Sequence, residues 1–152
     1  MSLESVCQFF SETAPDISVI VTEASSATVP LAVEAHGVEP DQIAKTICLR
    51  IGEDVVLVVT AGTKRLDNRK FKDRFGVKPR MLDADAVVEA TSHPVGGVCP
   101  FGLPSPLKVY GDLSLKAFDE VVPAGGATNA AVRIAPERML SLVGGEWADL
   151  CQ

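Results

Sequence analysis

The chain has 152 residues, 47% of them hydrophobic and 5% aromatic, and carries a net charge of −6. That is material for one domain spanning residues 1–152, with an aliphatic core of Val, Leu, Ile and Ala. No apolar run reaches membrane-span length and Met1–Ser5 has no basic, apolar leader, so a cytoplasmic protein without a membrane partner is expected. Two histidines and four widely spaced cysteines (Cys7, Cys48, Cys99, Cys151) exclude a disulfide framework and a metal site, and no cofactor is expected.

In chain order, Leu3, Val6, Cys7 and Phe10 follow the spacing of an amphipathic helix, stopped by Pro15 and Asp16. The β-branched run Ile17–Thr22 predicts a strand. Ser25-Ser26-Ala27-Thr28 is a polar break in which Thr28 can cap a helix, with Pro30 in its first turn, His36 near its end and Gly37 as its stop. Pro40–Ala44 reads as a single helical turn. It leads into a hairpin whose strands are Thr46–Arg50 and Val55–Val59 and whose turn is Gly52-Glu53-Asp54, with Lys45 at the start of the first strand. A basic helix over 66–75 packs Phe71 and Phe75, and a short helix over 82–90 packs Val87 and Val88. After a loop at 96–102, Leu107–Tyr110 predicts a strand, Pro123–Gly126 a turn, Asn129–Ile134 a last strand and Pro136–Val143 a closing helix. Strands and helices mix without βαβ regularity, which predicts an α+β fold: a single mixed, partly antiparallel sheet wrapped by helices.

Charge is not spread evenly. Residues 64–80 hold eight of the fourteen basic residues against two aspartates, a net of +6, and the rest of the chain carries −12. Lys64, Arg65, Arg69, Lys70, Lys72 and Arg74 are candidate phosphate contacts that would steer a nucleic acid to one face. The alternative is a solvated helix face.

Chemistry concentrates elsewhere. Gly96-Gly97-Val98-Cys99-Pro100-Phe101-Gly102 is a loop able to present main-chain N–H groups to a ligand oxygen. Lys45 is a compact cation able to hold a phosphate, or else an edge lysine. Cys99 is a candidate nucleophile with His93 or His36 as its base, or else a small buried hydrophobe. No Ser-His-Asp set, P-loop or dinucleotide fingerprint is present. An enzyme built this way must rely on positioning and backbone dipoles.

Four segments together resemble the YbaK/EbsC family of aminoacyl-tRNA deacylases, free-standing relatives of the bacterial prolyl-tRNA synthetase editing domain. They are Ser25–Thr28, Gln42-Ile43-Ala44-Lys45-Thr46, Gly96–Gly102 and Gly125-Gly126-Ala127-Thr128-Asn129, and the resemblance runs over residues 16–145. It implies hydrolysis of the ester between a small wrong amino acid (Ala, Ser, Thr or Cys) and a tRNA, that for proline foremost. It implies Lys45 as the essential lysine gripping a phosphate near the terminal adenosine, and Gly97 and Val98 as oxyanion donors. Gly96, Cys99 and Pro100 become parts of the substrate loop, with Cys99 shaping the pocket, and Thr28 and Asn129 become pocket or ribose contacts. It further implies a small pocket, a ribose hydroxyl of the substrate that helps activate the attacking water, and prolyl-tRNA synthetase or an elongation factor as candidate protein partners. A thiol hydrolase or transferase based on Cys99, and a non-catalytic module binding aminoacyl-tRNA or a nucleotide, are the competing readings.

Overall fold

The computed structural model describes residues 2–152. Its central element is the hairpin of β2 (Ile43–Ile51) and β3 (Asp54–Ala61), joined by the two-residue turn Gly52-Glu53 with Ile51 opposite Asp54. β5 (Lys108–Asp112) runs parallel to β3, and β8 (Glu146–Ala148) runs parallel to β5. On the other side of β2, β4 (Arg80–Met81) pairs antiparallel with Leu49 and Arg50, whereas β6 (Val122–Pro123) pairs parallel with Ile43 and Ala44. The sheet is therefore mixed, as expected. A separate two-stranded ribbon, β1 (Ile20–Val21) with β7 (Ala130–Ala131), stands beside it.

Five helices cover the sheet: α1 (Ser2–Thr13), α2 (Val29–His36), α3 (Asn68–Phe75), α4 (Ala84–Thr91) and α5 (Pro136–Val143). Their ends follow local chemistry. Thr28 caps α2 by accepting from the Leu31 N–H, and Gly37 ends it in the left-handed region. Asp67 caps α3 through the Arg69 and Lys70 N–H groups, and Asp83 caps α4 through that of Ala86. Both helices start later than periodicity suggests because an aspartate side chain captures the first amides.

Alternation along β3 divides the core. Leu57 and Val59 face a cluster with Phe10, Phe101 and Val132, while Val56 and Val58 face Leu49, Phe71 and Tyr110. The C-terminal segment is tied down by one buried carboxylate. Asp112 Oδ1 accepts from the N–H groups of Leu150 (2.8 Å) and Cys151 (3.0 Å), and Oδ2 accepts from that of Ser114 (3.0 Å). Asp67 N–H in turn donates to Leu150 O, which fixes the entry to α3.

Three sequence expectations need correction. The strand anticipated over 17–22 is only Ile20–Val21, because Ile17 and Val19 pack on the core without a pairing strand. The segment 129–134 contributes just Ala130–Ala131 as a strand. It is also not the last, since β8 follows α5.

Candidate functional site

The site originates in an interruption of the sheet. β6 covers β2 at Ile43–Ala44 and β4 covers it at Leu49–Arg50. Between them Lys45, Thr46, Ile47 and Cys48 pair with β3 alone. A cavity of about 470 Å³ fills this notch, bordered by those four residues and by Met81, Val122 and Ala124 from its flanks. α2 contributes Val29 and Ala32, α4 contributes Val87, and the glycine loop contributes Gly96 and Val98. The volume lies in the range of clefts that take drug-sized ligands. It exceeds what a three-carbon amino acid needs, so the expected small pocket has room for a sugar as well.

The four motif segments meet here. Ser26 N–H donates to Thr128 O (2.7 Å), and Gly126 N–H donates to Gly97 O (3.0 Å). A Cβ on Gly96, where φ is +91°, would stand 2.7 Å from the Ala27 Cβ, and one on Gly97 would stand 2.7 Å from the Ala127 nitrogen. These glycines let three loops pack backbone against backbone. The Gly97 N–H closes a turn onto Pro94 O (2.8 Å), so it is not free to serve as an oxyanion donor. The Val98 N–H has no acceptor among the described residues, and Val98 borders the cavity.

Lys45 borders the same cavity. Its side chain leaves β2 on the Phe71 face, in register with Thr60, Val58 and Val56. The ammonium donates to Lys64 O (2.6 Å) and Gly62 O (3.1 Å). Burial draws its pKa below the ordinary lysine value. Lys45 and the glycine loop thus border the notch from opposite faces of the sheet.

Other expected residues sit differently. Thr28 lines the cavity while capping α2. The Asn129 side-chain amide donates to Thr22 O (2.9 Å), locking β1 to β7, and Asn129 does not line the cavity. Pro100 is buried behind the loop and does not line it either. Cys99 is fully buried rather than pocket-shaping. Its Sγ lies 3.5 Å from His93 Nε2, so the thiol and imidazole do meet. That nitrogen is 2.8 Å from Phe101 O, which can only accept, so Nε2 carries the proton and has no lone pair for the thiol. Burial pushes the Cys99 thiol up to about 12. The pair is structural. Alkylation of the native protein with iodoacetamide should therefore label exposed Cys7 and spare Cys48, Cys99 and Cys151. Peptide mass spectrometry checks this, and modification of Cys99 at a rate like that of Cys7 would contradict it.

Thr46 closes the Gln42–Thr46 motif, but sequence reasoning gave it no role. It lines the cavity, and its Oγ1 is buried without a hydrogen-bond partner among the described residues. A threonine in an apolar strand carries no signal of this, since the notch is made by residues more than thirty positions away.

The basic segment divides into two groups. Lys70 Nζ pairs with Asp149 (2.9 Å) and donates to Cys151 O (2.7 Å), and Arg74 pairs with Glu146 (3.3 Å) and stacks on Phe75. Arg65, Arg69 and Lys72 are exposed and make no ion pair among the described residues. Lys64 is half-buried and lends its carbonyl to Lys45. No described helix is long and apolar enough to cross a membrane.

Residues 23–142 match the model of the aminoacyl-tRNA editing domain. The chain is 42% identical to the uncharacterized protein YwhH of Bacillus subtilis (strain 168), over all of this chain and 98% of that one. It is 27% identical, over 77% of this chain and 73% of the relative, to the "Putative Cys-tRNA(Pro)/Cys-tRNA(Cys) deacylase EbsC" of Enterococcus faecalis. A crystal structure described as a "putative trans-editing enzyme for prolyl tRNA synthetase" superposes with a TM-score of 0.92 at 32% identity, covering 99% of this chain and 97% of that one.

Proposed function

This chain belongs to the aminoacyl-tRNA editing domain family, and from that premise we propose that it is a trans-acting deacylase. Its reaction is hydrolysis of the ester joining a small mischarged amino acid (Ala, Ser, Thr or Cys) to a tRNA, with the tRNA for proline as the first candidate. The observation that carries this reading is that Lys45, Thr28 and Val98 border one notch of about 470 Å³, with the Val98 N–H left without an acceptor among the described residues. Such a cavity takes an aminoacyl group together with its ribose.

In this reading Lys45 holds a phosphate next to the terminal nucleoside, its ammonium placed by Gly62 O and Lys64 O. The Val98 N–H faces the ester carbonyl and stabilises the oxyanion, a contribution of about 3–4 kcal/mol for one such donor. The attacking water is activated by the vicinal ribose hydroxyl of the substrate, consistent with an apolar cavity wall. A second pocket is useful because one methylene gives a synthetase only about 1–3 kcal/mol of discrimination. Prolyl-tRNA synthetase or an elongation factor are the candidate partners that would hand the mischarged tRNA over.

The test is a deacylation screen with tRNA charged separately with Ala, Ser, Thr and Cys. Multiple turnover on at least one is expected, and saturable binding without turnover on all four would overturn the assignment. The exposed cations supply a second expectation. Arg65→Glu, Arg69→Glu and Lys72→Glu should each raise the Kd for tRNA and flatten its log–log salt dependence by about one. Filter binding between low and moderate salt measures this. Lys70→Ala should instead lower thermal stability, because its ammonium braces the C-terminal segment.

A further inference from the structure

The floor of the notch has unspent hydrogen-bonding capacity. In a hairpin closed by a two-residue turn, the flanking pair Ile51–Asp54 exchanges hydrogen bonds, and bonded pairs then alternate along the ladder. Lys45, Ile47 and Leu49 thus spend their main-chain groups on β3, while those of Ala44, Thr46, Cys48 and Arg50 point away from it. Ala44 and Arg50 meet β6 and β4. Thr46 and Cys48 border the cavity, and neither takes a main-chain partner there among the described residues. In an extended strand the N–H and C=O of one residue point the same way. Each of the two residues therefore presents a donor beside an acceptor, and the two pairs lie about 7 Å apart along the edge.

Such an edge is completed by another donor–acceptor pair lying in the plane of the sheet. A peptide strand carries one, but β6 and β4 block its path at both ends and leave only Lys45–Cys48 free. A nucleobase is short and flat and carries the pair on its rim: adenine offers its N6 amino donor next to a ring nitrogen that accepts. The faces of the notch suit a ring as well. Met81 pairs with Leu49, so it shares the face of Ile47 and Lys45, and it borders the cavity while remaining 69% exposed. A thioether packs well on a ring. Val87 and Val98 border the cavity from the other face. In a ribose the 5′ carbon and the 2′ and 3′ oxygens project from opposite sides of the sugar, just as Lys45 and Val98 lie on opposite sides of the sheet. We propose that the free edge of β2 reads the 3′-terminal adenine, its N6 amino group donating to a main-chain carbonyl and a ring nitrogen accepting from the N–H of Thr46 or Cys48, with Met81 packed on the ring. This rests on the deacylase reading above and adds to it a base-binding subsite.

The experiment uses tRNA loaded with Ala, Ser, Thr or Cys and ending in adenosine, in purine riboside (which lacks only the N6 amino group) or in an abasic ribose. Wild type should show a kcat/KM about tenfold higher on the adenosine end than on the purine end, and about 100-fold higher than on the abasic end. Met81→Ala should lower kcat/KM about fivefold on the two substrates that carry a ring and leave the abasic one unchanged, and Met81→Leu should restore most of the loss. A merely structural role for Met81 would slow all three substrates alike, which overturns the proposal. Equal wild-type rates on the adenosine and purine ends overturn it too and leave the deacylase reading standing. Release of no amino acid from any adenosine-ended substrate removes both.

Discussion

Lys45→Ala should abolish amino acid release while the protein stays folded. The expected fall in kcat/KM is more than 100-fold, or above about 2.7 kcal/mol of transition-state stabilisation. Lys45 is the only cationic side chain bordering the notch among the described residues, and two carbonyls hold its ammonium in one place. An ammonium has three N–H donors, so two bonds to the protein leave one for a ligand. The substitution also orphans Gly62 O and Lys64 O. Both lie beside a half-buried position open to water, so the stability loss should be about 1–2 kcal/mol, a fall of a few degrees in Tm. Lys45→Arg is the sharper control. It keeps the charge but replaces a compact head with a planar fork that two converging carbonyls do not fit, and it should recover less than a tenth of the wild-type rate. A Lys45→Ala protein with native circular dichroism and wild-type turnover would remove the lysine from the mechanism.

What the sequence made legible was local. Thr28 and Gly37 bracket α2 because a hydroxyl cap and a left-handed stop act within a few residues. The Gly52-Glu53 turn between two apolar runs determines the hairpin, and Pro136 opens α5 as its position suggests. What escaped was non-local. β8 is three residues long and lies at a parallel edge, so Glu146-Trp147-Ala148 has no alternation to detect. The notch depends on how far β6 and β4 reach along β2, which no spacing within the strand encodes. For that reason Thr46 looked like an ordinary strand former. For Cys99 the sequence left two readings, a nucleophile or a small buried hydrophobe, and its burial against Phe101 and His93 selects the second. Asn129, expected as a pocket or ribose contact, instead holds Thr22.

Gly97→Ala should cost both stability and catalysis through a single added methyl group. The added Cβ would lie 2.7 Å from the Ala127 nitrogen, 2.9 Å from its carbonyl carbon and 3.0 Å from its Cα. All three are main-chain atoms, and no side chain can rotate away to relieve them. One loop must move, and the bond from the Gly126 N–H to Gly97 O goes with it. Overpacking of this kind costs about 1–3 kcal/mol, and with the lost hydrogen bond Tm should fall by about 5–10 °C. The Val98 N–H follows directly in the chain, so its aim at the ester shifts as well, and a misplaced oxyanion donor costs about 10²–10³ in kcat. Gly144→Ala separates the two effects. Gly144 ends α5 with φ +65° and has open space around its Cα, so alanine there destabilises through backbone strain alone. Assayed below both melting transitions, Gly144→Ala should keep wild-type kcat/KM and Gly97→Ala should lose at least 100-fold. If Gly97→Ala loses stability but keeps its rate, the contact between the two glycine loops does not set the position of the Val98 amide, and the oxyanion donor must be sought elsewhere along the notch.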